Sequence, residues 1–517
     1  MYKGTARDSW PSFLMRYGFV IDHNRCIGCH ACTVACKEEH QVPVGVFRTW
    51  VKYVEKGEFP HTSRHFGVLR CNHCDDAPCI EICPTHALYR RHDGIVDFDN
   101  TRCIGCKGCM QACPYDALYI DPNNNTAAKC NFCAHRVENN MEPACVIVCP
   151  TQAIFAGDLD DAGSTVSRIV ATQKVSVRKP EKGTKPKLFY VGIEPDLLDP
   201  TKLSRQTTDM FSDRRVKPEA SEAADAALTR EVYDVAHPVP WGWKIAAYLW
   251  TKSIAAGVML VAAIVILLSG ESGERLFCVA APLVALVALA ATSMLLIFDL
   301  KRPGRFVYLL TKPNFKSWLV LGAYVLMAYG VLIVIWLWCG LVKHYVPGAV
   351  SSATAVLAVA SACYSAFLFA QAKGRDLWQG RMLFYHLVVH ALICGSATLC
   401  LMGLITDGFM SILRWVCLIL VVSLIASLIM ILAEAAIPHG SAEVKLAMRA
   451  LTRGKLSIQF WGLAIGIGIL CPLGYAAALI FAGAGDYAAF LLPLHALVGV
   501  WAYEDVWVKA GQAVPLS

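Results

Sequence analysis

The stretch CIGCHACTVAC at residues 26–36 recurs in almost the same form as CIGCKGCMQACP at residues 103–114. Both runs have the spacing C-x2-C-x2-C-x3-C. Two further groups, at residues 71–83 and 130–149, bring the total to sixteen of the chain's 23 cysteines. In chain order the groups are Cys26, Cys29, Cys32 and Cys36 (group one); Cys71, Cys74, Cys79 and Cys83 (group two); Cys103, Cys106, Cys109 and Cys113 (group three); Cys130, Cys133, Cys145 and Cys149 (group four).

The density of these cysteines disfavours disulfides, because three cysteines within seven residues cannot readily pair with one another. Structural zinc sites usually take two C-x2-C pairs, and a C-x2-C-x2-C triplet does not fit that pattern. Groups one and three have the spacing of bacterial two-cluster ferredoxins, in which thiolates hold 4Fe–4S cubanes. Pro84, Pro114 and Pro150 follow the last cysteine of three groups and help to fix the turn there. The pattern therefore predicts iron–sulfur clusters.

In such ferredoxins the fourth cysteine of each run ligates the other cluster. The most economical pairing then nests groups two and three inside groups one and four. It predicts an α+β domain of two nested ferredoxin-like modules with four 4Fe–4S clusters, and short alternating runs at 95–100, 117–121 and 187–192 predict strands within it. The predicted ligand sets are Cys26, Cys29, Cys32 and Cys149; Cys36, Cys130, Cys133 and Cys145; Cys71, Cys74, Cys79 and Cys113; Cys83, Cys103, Cys106 and Cys109.

The composition indicates that part of the chain lies in a lipid bilayer. Only 17% of the residues are charged, against about 25% in soluble proteins, and the apolar runs begin near residue 244. The first twenty residues lack the apolar core and cleavage site of a signal peptide. The net charge of +7 is modest and is better explained by membrane topology than by nucleic-acid binding.

Eight runs of about 20 apolar residues predict an all-α domain of eight transmembrane helices. The runs are 244–269, 275–298, 317–342, 349–372, 383–405, 411–435, 457–481 and 487–508. Loops on the side of the cluster domain carry twelve Lys or Arg residues, and the opposite loops carry three. The positive-inside rule then places the cluster domain on the cytoplasmic face.

Polar residues within the spans concentrate near the cluster domain, where a quinone would need both electrons and proton-exchanging groups. An interhelical hydrogen bond explains any single one of them about as well. His386 and His390 lie four residues apart on one helix face, which leaves a haem b anchor as an alternative, and a redox-linked proton-translocating module is another. The polar set is Lys252, Asp299, Tyr364, Gln371, Asp376, His386, His390, Glu434, Gln459, Glu504 and Asp505.

The first 200 residues resemble the four-cluster electron-transfer subunit of the dimethyl sulfoxide reductase family of molybdopterin oxidoreductases. Some members replace the second cysteine of group three and hold a three-iron cluster. Cys106 occupies that position here, which implies four 4Fe–4S clusters. Besides the cysteine groups, the resemblance rests on GVFRTW (45–50), RCNHCDDAPC (70–79), KCNFCAHR (129–136) and PTQAIFAGDLDD (150–161).

The remainder resembles the polysulfide reductase anchor (NrfD) family, which has eight helices, no haem and a quinone pocket near the cluster subunit. The family's pocket uses a histidine at the entry to the first helix and a tyrosine in the fourth; His237 and Tyr364 are the matching positions. Asp299 and Asp376 are nearby proton-handling candidates. The resemblance rests on HPVPWGWKIAAYLWTKSIAAG (237–257), DLKRPGRF (299–306), YSAFLFAQAKGRDLW (364–378) and YEDVWVKAGQAVPLS (503–517).

Together the two resemblances imply a subunit of the bacterial or archaeal cytoplasmic membrane in anaerobic, formate- or sulfur-type respiration. It would relay electrons between a molybdopterin or tungstopterin catalytic subunit and menaquinone or ubiquinone, and chemistry on the soluble substrate would belong to the partner. We expect a cluster domain at residues 1–200, a linker and docking segment at 201–240, and a membrane domain at 241–517.

Overall fold

A computed structural model describes residues 15–58, 60–205, 229–270, 274–405, 410–436, 440–481 and 486–517. Up to residue 233 the chain forms short strands and short helices, and from residue 243 it is helical. The predicted fold class, an α+β part followed by an all-α membrane part, is confirmed.

The described strands of the first part form two four-stranded sheets, in the orders β8-β1-β10-β9 and β11-β12-β2-β3, and two hairpins. The strands are β1 Tyr17–Asp22, β2 Thr49–Lys56, β3 Ser63–Arg70, β4 Leu88–Arg90, β5 Val96–Phe98, β6 Leu118–Ile120, β7 Ala127–Lys129, β8 Ile154–Asp158, β9 Val175–Ser176, β10 Leu188–Val191, β11 Ser204–Arg205 and β12 Thr229–Tyr233. The helices are α1 Ala31–His40, α2 Pro78–Ile82, α3 Gly108–Ala112, α4 Ala134–Val137, α5 Ala144–Ile147, α6 Thr165–Thr172 and α7 Pro195–Leu198.

Three of these strands confirm sequence predictions, because β5, β6 and β10 fall inside the alternating runs. Strand β12 comes from the segment 201–240 and pairs with β2. Lys52 on β2 is buried and forms ion pairs with Glu231 and Asp234, at 2.7 and 3.2 Å. The described end of that segment is thus part of the sheet, residues 206–228 lie outside the described ranges, and the boundary at residue 200 stays a prediction.

Eight helices of the described chain are long and apolar enough to cross a membrane, as predicted. Two of them begin with wide π-helical turns, at Leu276–Ala280 and Gln459–Leu470. Two short helices, α10 Tyr308–Thr311 and α15 Ala442–Thr452, lie between spans. The α-helices of these spans are α8 Trp243–Ser269, α9 Ala281–Asp299, α11 Trp318–Lys343, α12 Gly348–Ala370, α13 Met382–Ile405, α14 Met410–Ala436, α16 Cys471–Phe481 and α17 Asp486–Ala513. The spans of α9 and α16 include the preceding π-helical turns and cover Leu276–Asp299 and Gln459–Phe481.

The two parts are joined by buried hydrogen bonds around the group-three loop. Gln111 donates to Gln512 (2.6 Å), and Arg375 donates to Gln111 (2.9 Å). The loop after α9 adds Arg305, which donates to the carbonyl oxygens of Asn100 and Cys103. Some basic residues counted for membrane orientation therefore bind the cluster domain, so the orientation stays a prediction.

Candidate functional site

The four cysteine loops share one backbone feature. In each, the residue before the second cysteine has a positive φ: 71° at Gly28, 44° at His73, 70° at Gly105 and 63° at Phe132. This left-handed residue turns the chain tightly enough to bring the loop's cysteines to one side. The four loops therefore share the same local backbone geometry.

The thiols also assemble across the groups. Cys26 interacts electrostatically with Cys149, and Cys36 interacts with Cys130, Cys133 and Cys145. Cys74 and Cys79 both interact with Cys71 and Cys113. Cys103, Cys106 and Cys109 all interact with Cys83. These neighbours fall within the four nested sets predicted from the spacing. No group of three or more Cys, His, Asp or Glu side chains in the described ranges could hold a single metal ion. A tetrahedral zinc site would need sulfurs within about 3.8 Å of one another, so the arrangement fits larger clusters better than single ions.

The four sets lie in a row. Cys32 of the first interacts with Cys145 of the second, Cys130 of the second with Cys71 of the third, and Cys109 of the fourth with Cys79 of the third. Cys106 of the fourth set lines a cavity in the membrane part. The row therefore runs from group one to the helical bundle.

The surroundings of the thiols disfavour free thiolates and offer buried hydrogen-bond donors to a bound cluster. Burial raises the pKa of Cys32 to about 11 and that of Cys106 to about 12, with neighbouring thiols adding to the rise. Four thiolates can thus share such a site only around a compensating cation such as iron. Arg70 is fully buried and donates to Cys145 Sγ at 3.0 Å, while its Nε and Nη2 find no partner among the described protein atoms. A cubane with four thiolates carries net negative charge and would accept those donors.

An apolar cavity at this end of the bundle has a volume of about 380 Å³. Its wall is built from α8, α9, α11 and α12, and it includes Cys106, Trp241, Tyr248, Asp299 and Tyr364. Cavities of 300–1,000 Å³ with a few convergent polar groups are typical of ligand sites. The structure thus brings Tyr364 and Asp299, two of the predicted quinone residues, to one cavity beside a cysteine of group three.

Two residues beside this cavity, Lys107 and Gly322, were not predicted from the sequence. Lys107 forms an ion pair with Asp299 at 2.7 Å. Lys252, which belongs to the predicted polar set, places its Nζ 4.8 Å from the ring centre of Tyr364. Gly322 on α11 lies directly against that ring, where a β-carbon would collide with it. Lys107 sits inside the motif CIGCKGC, but the sequence gives no signal that it points toward the membrane.

The other two predicted quinone residues lie outside this cavity. His237 lines a separate cavity of about 620 Å³, where it contacts Asp116 (2.8 Å) and Asp234 (3.5 Å). Burial alone would lower the pKa of His237, but its hydrogen bonds to these carboxylates outweigh burial and raise the pKa to about 9. Asp376 pairs with Lys182 of the cluster domain and accepts a hydrogen bond from Ser441 at 2.6 Å.

His386 and His390, the two histidines on which the haem b alternative rests, each face a carboxylate. His386 lies 3.2 Å from Glu434, and His390 lies 3.3 Å from Glu504. The space they line with Glu504 has a volume of about 10 Å³, which holds one water at most. This geometry does not favour the haem b alternative.

The chain matches two protein families. Residues 63–159 match the 4Fe–4S dicluster domain family, and residues 231–515, more than half of the chain, match the family described as polysulphide reductase, NrfD. The iron–sulfur character of the N-terminal part and the membrane character of the remainder are thereby established. The number of clusters and the individual ligands stay predictions.

The N-terminal part is also similar to subunits of known reductases. It is 44% identical over 189 residues to a tetrathionate reductase subunit of Salmonella typhimurium, covering 36% of this chain and 76% of that protein. It is 37% identical to a putative dimethyl sulfoxide reductase iron-sulfur subunit of Halobacterium salinarum, and the match covers 44% of this chain and 97% of that protein. It is 42% identical to one of the chains of polysulfide reductase from Wolinella succinogenes, and the match covers 34% of this chain and 94% of that protein. The chain belongs to the polysulphide reductase NrfD family, and it joins an iron–sulfur electron-transfer part to a multi-pass membrane domain.

Proposed function

We propose that this chain carries electrons between a molybdopterin or tungstopterin catalytic subunit and membrane quinone through four 4Fe–4S clusters. The observation that carries this proposal is the position of Cys106, which belongs to the group-three cysteines and also lines the apolar cavity with Tyr364 and Asp299. A cluster at this position would touch the site where a quinone gives or takes electrons.

The proposed ligand sets are the four nested ones: Cys26, Cys29, Cys32 and Cys149; Cys36, Cys130, Cys133 and Cys145; Cys71, Cys74, Cys79 and Cys113; Cys83, Cys103, Cys106 and Cys109. Their support is the proximity of the thiols within each set. When bound, each cluster supplies a one-electron carrier. The thiols that link one set to the next give electrons a continuous path along the row.

The far end of the row supports a partner subunit there. Cys29 is exposed, and exposed apolar side chains flank it: Ile27, Val34 on α1 and Ile147 on α5 are all more than half exposed. Exposed apolar patches of this kind mark protein-interaction sites. We therefore place the catalytic subunit against group one, at the opposite end of the row from the quinone.

At the quinone end, Tyr364 and Asp299 would face the quinone oxygens and exchange protons with them. The remaining cavity wall is largely apolar and suits a quinone ring and tail. His237 and Asp376 lie at contacts between the cluster domain and the bundle, and we assign them to holding these parts together. The basic loops favour a cytoplasmic cluster domain in a bacterial or archaeal cytoplasmic membrane.

A quinol-oxidation assay tests the quinone site. The full chain, purified with its clusters in detergent, is mixed with a short-chain quinol, and bleaching of the cluster absorbance is followed. Tyr364→Phe should slow bleaching at unchanged iron content. Tyr329→Phe is the matched control. Tyr329 is buried in α11, its hydroxyl donates to the Ala255 carbonyl oxygen at 2.7 Å, and it does not line the cavity. Equal rates in wild type and Tyr364→Phe would remove Tyr364 from the site.

A further inference from the structure

We propose that a row of buried ionisable and hydroxyl side chains carries protons between the quinone cavity and the cluster side of the membrane. This inference rests on the proposed quinone site. We name the row the proton relay; its members, from the cavity outward, are Tyr248, Ser365, Lys252, Glu504, His390, His386 and Glu434.

The inner end of the proton relay opens on the cavity. Tyr248 lines the cavity wall, and its hydroxyl lies 3.2 Å from Ser365 Oγ. Lys252 Nζ donates to the same Ser365 oxygen at 2.6 Å and to the Ala362 carbonyl at 2.8 Å. Lys252 is fully buried, so a pair of hydroxyl groups connects the cavity to the Lys252 amine inside the bundle.

The middle of the proton relay combines ionisable side chains that are costly to bury in a membrane. Glu504 on α17 is 2% exposed and interacts electrostatically with Lys252. Its Oε1 lies 3.3 Å from His390 Nδ1 on α13. Ionisable residues buried inside transmembrane segments are expensive and mark proton or ion pathways. A packing role alone would not require a lysine, a glutamate and a histidine in succession.

A small gap separates the two histidines, whose ring centres are 5.9 Å apart. The cavity of about 10 Å³ between His386, His390 and Glu504 lies in this gap, and one water of that size would connect them. Other titratable groups face the proton relay from neighbouring helices: Tyr503 stacks on His386, and Cys394 interacts with Glu504.

The outer end lies on the same side as the clusters. His386 Nε2 is 3.2 Å from Glu434 Oε2, and the Glu434 side chain is 20% exposed. Glu434 lies near the end of α14 and His386 near the start of α13, directly after the loop that holds Arg375 and Asp376 against the cluster domain. Both ends of the proton relay therefore lie on the cluster side of the bundle, and the relay does not cross the membrane.

The chemistry balances without another reactant. Oxidation of one quinol releases two electrons and two protons. Two oxidised clusters, when bound, would take one electron each, and the proton relay would pass the two protons through Glu434 to solvent. Quinone reduction uses the same groups in reverse.

The test uses the quinol assay with the full chain and its clusters. Glu504→Gln should slow cluster bleaching by at least about tenfold, while dithionite still reduces every cluster. Asp505→Asn is the matched control: Asp505 is the next residue on α17, is equally buried, and pairs instead with Gln459 and Lys509 (2.7 and 2.5 Å). We expect its rate to stay within about twofold of wild type.

Two further variants separate proton transfer from structural damage. Glu434→Gln should also slow bleaching, and small added buffers whose base forms accept the released proton should restore its rate, which a structural defect would not permit. If Glu504→Gln does not assemble, His390→Gln tests the same link. A wild-type rate in Glu504→Gln or His390→Gln overturns the proton relay but leaves the quinone site standing. Failure of the wild type to react with quinol overturns the proposed function itself.

Discussion

Lys107 Nζ lies 2.7 Å from Asp299 Oδ2, and both side chains are largely buried. Lys107 stands between Cys106 and Cys109 of the group-three loop, whereas Asp299 ends α9 and lines the apolar cavity. One ion pair therefore joins the loop of the last proposed cluster to the wall of the proposed quinone site. The distance between the two proposed redox sites therefore depends on this electrostatic contact.

Breaking this ion pair should destabilise the chain. Lys107→Met leaves Asp299 without its cation in a buried position, a change that typically costs about 3–5 kcal/mol. The double variant Lys107→Met/Asp299→Leu should recover much of the loss, because no lone charge remains. Heating in detergent while following cluster absorbance measures the midpoint. The control is Lys185→Met, whose pair with Asp76 is exposed to solvent, and ion pairs of this kind contribute little to stability. Equal effects of both single variants would contradict the prediction.

The contact of His237 with Asp116 and Asp234 predicts a pH dependence of stability. The pKa of His237 is about 9 in the folded chain, against an ordinary value of 6.5. A raised pKa means that protonated His237 stabilises the folded state fully below pH 6.5 and loses this effect as pH rises through about 9. Thermal midpoints between pH 6 and 10 should therefore fall more steeply for wild type than for His237→Gln. Parallel curves would show that the histidine contributes no such linkage.

Close helix packing gives a third prediction. A β-carbon on Gly257 of α8 would collide with the backbone of Ala391 and Gly395 on α13. Gly257→Ala should therefore destabilise the bundle by about 1–3 kcal/mol. Gly474→Ala on α16 is the matched control, because its added methyl meets nothing within 4 Å, and alanine is the better helix former. The midpoint of thermal unfolding in detergent distinguishes them, and similar midpoints for the two variants would argue against this crossing.

Sequence reasoning succeeded where local spacing carries the chemistry. The cysteine triplets indicate iron–sulfur clusters, and runs of about 20 apolar residues indicate the spans, because each pattern is complete within a short segment. It also singled out Tyr364 and Asp299, which line one cavity. It could not place Lys107 against Asp299, almost 200 residues away, or separate His237 and Asp376 from the cavity. Those contacts depend on how the cluster domain sits on the bundle, which no local pattern records.

The cluster count gives a prediction in iron atoms. Four 4Fe–4S clusters amount to about sixteen iron atoms per chain. Cys106→Ala should remove between about one and four of them, depending on whether a three-iron cluster survives, and should change the electron paramagnetic resonance of the reduced chain. Cys339→Ala, a buried cysteine in α11, should leave the iron content unchanged. An unchanged iron content and spectrum in Cys106→Ala would remove Cys106 from the ligands.

The direction of the proton relay predicts that quinol oxidation by this chain moves no net charge across the membrane. In vesicles containing quinol, external ferricyanide reaches only those chains whose cluster domain faces outward. Each quinol then reduces two ferricyanide ions, and two protons should appear outside with the electrons, because Glu434 opens on the cluster side. A pH dye outside should respond while a membrane-potential dye stays silent. A potential that collapses with an uncoupler would instead mean that charge crosses the bilayer, which is what the proton-translocating alternative requires.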